Sequence, residues 1–192
     1  MIQKHFLQFF GLYDKYFLNM ELYRLTLCLS SVLHGCPCGY YGTYTKKCRC
    51  TPNQIERYIA KISGPLMDRI DIHIEVPPVE FRKLRRRGHN GTGSEQLREQ
   101  VHLARQKQIQ RYGDSTKSNA MMSHRQVEAF CELDQAAEYV LRQALTEFAL
   151  SARAHDKILK VARTIADLEQ SNDVKLEHVT EAISYRKLDR AL

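Results

Sequence analysis

The chain has 192 residues, an apolar fraction of 43% and a formal charge of +7. That is enough chain for one substantial domain or two small ones with a buried core, in a composition ordinary for globular proteins. No apolar run approaches the roughly 18 residues of a membrane span, and the basic excess suits a nucleic acid, a nucleotide or an acidic partner without selecting one.

Residues 1–34 are aromatic and irregular. They contain one predicted strand at about 25–33, built on Leu25, Leu27, Leu29, Val32 and Leu33. No small-residue cleavage pattern follows that stretch, so no signal peptide is expected. Six cysteines without such a signal fit a reducing, cytoplasmic setting, where clustered thiols are more often metal ligands than disulfides.

Residues 36–50 form a cysteine loop, with Cys36-x-Cys38 and Cys48-x-Cys50 separated by nine residues that include Gly39 and Gly42. Thr51-Pro52-Asn53-Gln54 predicts a helix start with a capping box, and Ile55, Tyr58, Ile59 and Ile62 share one face as far as Gly64-Pro65. From Ile70 to Val76 the pattern alternates. It predicts a half-buried strand with Ile70, Ile72, Ile74 and Val76 on one face, ended by Pro77-Pro78.

Residues 79–93 read as a basic linker. From 94 onward the chain is predicted to be helical. A helix over about 95–111 turns Leu97, Val101, Ala104 and Ile109 inward, and Ser123 with Gln126 opens a short one. Asp134 caps a helix with the stripe Ala137, Val140, Leu141, Ala144 and Phe148. Ser151 caps a long one carrying Ile158, Val161, Ala162, Ile165 and Leu168, and a last helix aligns Leu176, Val179 and Ile183.

Three features carry chemistry. Thiolates at Cys36, Cys38, Cys48 and Cys50 can supply the four soft ligands of a tetrahedral zinc site, with Lys46, Lys47 and Arg49 offsetting its negative charge; reduced, unligated thiols are the alternative. Such a site would be closed, which argues for a structural metal and against zinc catalysis. Cys28 and Cys131 read as small buried hydrophobes. Arg69, between Asp68 and Asp71, is either a structural ion-pair partner or a guanidinium available to a phosphate. Arg153 lies in the first turn after a helix cap, where a cation opposes the helix dipole; an anion partner or a solvated face with Lys157 and Lys160 would explain it. The run Arg82, Lys83, Arg85, Arg86, Arg87 is a solvated linker or a phosphate-contacting patch.

CPCGYYG, CRCTP, SGPLMDRIDIHIEV, LSARAHDKILKVARTIADL and EHVTEAISYRKLDR occur in an order that resembles the Mg-chelatase-like AAA+ ATPases of the YifB/ComM type, over about residues 36–192. The resemblance implies a mainly α fold with a small α/β remnant. Residues 35–78 would be a partial AAA+ core of cysteine loop, helix and strand, and 94–192 a C-terminal helical lid domain. It implies Arg69 as an arginine finger acting in trans and Arg153 as the sensor-2 arginine. The implied partners are subunits of the same family in a ring, with DNA as the substrate of ATP-driven branch migration and no membrane.

The sequence also departs from the family. It contains no Gly-x-x-x-x-Gly-Lys-Ser/Thr loop to cradle a triphosphate, and His34-Gly35 stand where the family has Asn-Pro before Cys-Pro-Cys. The expectation is therefore the C-terminal part of such an ATPase, inactive alone, needing ATP and Mg only within a complete enzyme. The alternative is a non-catalytic zinc-loop module that binds nucleic acid.

Overall fold

The computed structural model describes residues 34–43, 46–74, 76 and 92–186. These form seven α-helices and one 3-10 turn, with no strand among the described residues. The strand expected at 25–33 lies outside them, as do the basic residues Arg82 to Arg87.

Helix α1, Pro52–Ile59, starts where the sequence places it. The Gln54 amide donates to the Thr51 hydroxyl at 3.4 Å, and the Thr51 amide donates to the Gln54 side chain at 2.9 Å. Its half-buried residues are Ile55, Tyr58 and Ile59, followed by Ile62. Gly64-Pro65 does not simply end the helical stretch. Ser63 begins a second, short helix, α2, Gly64–Arg69, with proline in its first turn, where it loses no hydrogen bond.

The alternating segment after α2 differs from expectation. Its described residues form no strand, and the buried one among them is His73, at 8% exposure, while Ile72, Ile74 and Val76 are 46%, 66% and 80% exposed. Alternation fixes that two faces exist and leaves open which one is covered. Here His73 is covered while Asp71 on the same face stays exposed, because the His73 amide donates to the Tyr185 carbonyl at 2.8 Å and draws that residue against the end of the helical domain.

The helical domain comprises α3, Ser94–Tyr112, the 3-10 turn Asn119–Met121, α4, His124–Phe130, α5, Gln135–Glu147, α6, Ala152–Leu168, and α7, Leu176–Ser184. Helix α6 is its axis and packs on α3, α4, α7 and the 3-10 turn, while α5 also packs on α7. The core holds Val127, Ala137, Leu141, Ile158, Ala162 and Val179, with Cys131 among them. Cys131 is thus the small buried residue the sequence suggested, and burial pushes its thiol up to about 11.

The caps are those read from sequence. The Asp134 carboxylate accepts from the Ala137 amide at 2.7 Å, and the Ser151 hydroxyl accepts from the Ala154 amide at 3.3 Å. Helix α3 departs from its predicted orientation. Ala104 and Gln108 are its buried residues, while Leu97, Val101 and Ile109 are 48%, 53% and 38% exposed. The helix docks through polar anchors: Lys107 donates to the Gln170 carbonyl at 2.7 Å, and Arg111 reaches Asp167.

Candidate functional site

In the cysteine loop, Gly39 and Gly42 take φ of +79° and +75°, a region closed to most side chains, and fold the loop back on itself. The Gly39 amide donates to the Cys36 carbonyl at 3.1 Å, and the Thr43 hydroxyl lies 2.9 Å from the Tyr40 carbonyl. The result gathers four sulfurs within 4.8 Å of one another. Cys36 Sγ is 3.3 Å from Cys38 Sγ and 3.7 Å from Cys48 Sγ, and Cys38 Sγ is 3.5 Å from Cys48 Sγ. Four sulfurs held about 2.3 Å from a central ion sit about 3.8 Å apart, so the spacing fits a tetrahedral metal.

At these distances the thiols also shift one another's acidity. The Tyr40 amide, then the Cys36 thiol, pull Cys38 down to about 6. Against the Cys50 amide, which favours its thiolate, burial and the neighbouring thiols carry Cys48 up to about 12. Like charges this close cannot all form without a cation. Four clustered cysteines that can hold a metal are therefore present. Lys46 stacks on the Tyr40 ring at 4.7 Å, and Lys47 and Arg49 are exposed beside the cluster.

Arg69 is the last residue of α2 and is exposed. The aspartates on either side of it are engaged by α6. Ser151 Oγ donates to Asp68 Oδ1 at 3.3 Å, and Lys157 Nζ donates to the Asp68 carbonyl at 2.7 Å while lying 3.0 Å from Asp71 Oδ1. A further tie comes from beyond α7, where Arg186, 1% exposed, donates to the Ile70 carbonyl. Individually these are weak. An ion pair such as Lys157 with Asp71, whose carboxylate is 59% exposed, is worth about 1 kcal/mol or less. Collectively they fasten one short turn to the helical domain at several points.

Arg153 is exposed in the first turn of α6, directly after the Ser151 cap that holds Asp68. The structure thus brings the segment of Arg69 and the helix start of Arg153 into contact, although 84 positions separate the two residues in sequence, as their numbers give. The cysteines form a separate cluster.

Sequence reasoning missed a buried charged network at the other end of α6. Asp167 is 0% exposed and receives Arg111 through both carboxylate oxygens, at 2.8 and 2.5 Å, with Asn119 Nδ2 at 2.8 Å. Arg163, 2% exposed, lies 3.1 Å from the same carboxylate and donates to the Asn172 and Ser171 carbonyls at 2.7 and 2.8 Å. Burial pushes the Asp167 carboxyl up, but the Arg111 and Asn119 hydrogen bonds and both guanidinium charges outweigh it and hold it below the usual carboxylate range. The only available signal was the spacing of Arg163 and Asp167, four apart on α6 and level with its apolar stripe.

The comparisons give this arrangement a family. The family described as magnesium chelatase, subunit ChlI C-terminal, matches residues 91–186, half of the chain, and magnesium chelatase, subunit ChlI, matches residues 20–84. The chain therefore belongs to the magnesium chelatase ChlI family. It is 39% identical over 165 residues to "Competence protein ComM" of Haemophilus influenzae, and 36% identical over 165 residues to "Uncharacterized protein YifB" of Escherichia coli K12. It is also 31% identical over 157 residues to an uncharacterized protein of Mycobacterium tuberculosis H37Rv. The first two alignments cover 85% of this chain and 31% of the relative, so the chain spans about a third of the length of the curated relatives it matches. The ChlI match begins at residue 20, inside the stretch expected to lie outside the resemblance.

Proposed function

We propose that this chain is the finger-and-lid portion of a ring-forming AAA+ ATPase of the ComM/YifB kind, whose complete form couples ATP hydrolysis to the remodelling of DNA. Arg69 serves as the arginine finger, contributing positive charge to the nucleotide of a neighbouring subunit. Arg153 is the sensor-2 arginine on the lid, and the setting is cytoplasmic. One observation carries the reading: the turn bearing Arg69 is fastened to the first turns of α6, which bear Arg153. Two exposed guanidiniums on adjoining elements suit a phosphate chain, whose developing charge during transfer a guanidinium stabilises.

Zinc is the metal whose preferences the cysteine cluster meets. Bound by Cys36, Cys38, Cys48 and Cys50, it would supply a structural cross-link with no open position for water. Those residues would then fix the loop just ahead of α1.

Phosphoryl transfer also needs a phosphate-binding loop and a metal-holding carboxylate, and no Gly-x-x-x-x-Gly-Lys-Ser/Thr pattern occurs in these residues. The purified chain is therefore expected to hydrolyse no ATP, and turnover above background would overturn that. The positive test grafts residues 36–192 onto the remaining two thirds of the Haemophilus relative. Arg69→Ala is expected to lower kcat of the graft by about 10³–10⁵-fold. An unchanged kcat would sink the finger assignment.

A further inference from the structure

Arg69 is the final residue of a helix only six residues long, and the last carbonyls of any helix lack partners within it. One of those carbonyls, and that of the C-cap residue Ile70, are satisfied from outside. The Asp68 carbonyl accepts from Lys157 Nζ at 2.7 Å, and the Ile70 carbonyl accepts from Arg186. Both donors are cations, the charge that the C-terminal end of a helix favours. Lys157 does more than cap, since the same Nζ lies 3.0 Å from Asp71 Oδ1. The two groups it holds, Asp68 and Asp71, lie on either side of Arg69 in the chain. Lys157 also stands four residues after Arg153, and so on the same face of α6.

We propose that Lys157 is a positioning residue for Arg69. By capping the end of α2 and holding Asp71, it fixes the backbone that presents the arginine and ties that backbone to the helix presenting Arg153. Arg69 and Arg153 then move as one unit with the helical domain. This rests on the finger reading of Arg69, and the experiment separates the two.

The first arm uses the full 192-residue chain and hydrogen exchange over residues 66–74. Lys157→Met is expected to speed exchange there by roughly tenfold or more, while amides of α5 and of the second half of α6 keep their rates. Lys157→Arg, which retains charge and reach, is expected to restore most of the protection. Unaltered exchange at 66–74 in Lys157→Met, or loss spread over the whole helical domain, overturns the proposal.

The second arm reads ATP turnover in the graft described above. A misplaced but intact arginine costs on the order of 10²-fold, so Lys157→Met is expected to lower kcat by about that factor with KM for ATP unchanged. Lys157→Met added to Arg69→Ala should cost nothing further, because the group it positions is already gone. If Arg69→Ala cripples turnover and Lys157→Met does not, the finger reading stands and the positioning role falls. If Arg69→Ala itself leaves kcat intact, the finger reading fails and takes the positioning role with it.

Discussion

The helical domain and the segment before it are held together by different means. Residues 92–186 bury an apolar core in which Val127, Ala137, Ile158, Ala162 and Val179 are each 1% exposed or less. Among the described residues of 34–74 the buried side chains are Cys36, Met67 and His73. That segment takes its order from four clustered thiols, one capped helix start and several polar ties to α6 and to the chain after α7. A core stabilises many contacts at once, whereas ties and ligands fail one at a time. The candidate phosphate-handling arginines sit where the two regimes meet, with Arg69 on the tied side and Arg153 on the cored side.

The comparison can be broken most severely at Asp167. Asp167→Ala would leave Arg111 and Arg163 buried against no counter-charge, and removing one partner of a buried pair typically costs about 3–5 kcal/mol. Denaturant unfolding should show that loss for the helical domain while metal content of the cysteine loop is unchanged. The same carboxylate predicts a pH dependence. Its folded pKa lies below its unfolded value, so its contribution is fully present above about pH 4 and is lost as pH falls through the depressed value. A stability-against-pH series should therefore fall more steeply below pH 4 for the unmodified chain than for Asp167→Asn.

Next in size is Ile158→Ala, a cavity in the core expected to cost about 2–5 kcal/mol by the same assay. Asp134→Ala removes a cap and should cost about 1 kcal/mol. The complementary break is made in the loop. Cys48→Ser, or removal of metal by a chelator, should abolish a metal stoichiometry near one, measured by elemental analysis, and loosen residues 36–50. The melting of the helical domain should hardly move. A coincident collapse of both regions would show that the division is wrong.

What the sequence disclosed follows the same division. The starts at Thr51, Ser123, Asp134 and Ser151 were legible, because a cap is a local bargain between a side chain and amides two or three residues away. The apolar stripes of α5 and α6 were legible because the core-facing surface is a simple 3.6-residue pattern. Two orientations were not. Isoleucines at 72 and 74 looked like the inner face, yet a backbone bond from His73 to Tyr185, more than a hundred positions away, decides the matter. Leu97 and Val101 looked like the docking face of α3, yet Lys107 and Arg111 dock it. Charged residues are ordinarily read as solvated, so a helix that packs through them reads backwards. For the site, the four cysteines were visible as residues and as a group, and both arginines as residues; the bringing together of the two arginine-bearing elements was not, because it depends on the Asp68–Ser151 and Asp71–Lys157 contacts.

The anchoring of α3 has a mechanical side. All its residues from Ser94 to Leu103 are exposed, and its fixed points, Lys107 and Arg111, lie toward the other end. Ten residues at 1.5 Å per residue make an arm about 15 Å long. A tilt of roughly 10° at its base would therefore sweep the tip through about 3 Å. Arg111 grips Asp167 on α6, the helix whose first turn bears Arg153, so the base of the arm is fixed to that helix. Any tilt of α6 passed on through that grip would be enlarged at Ser94.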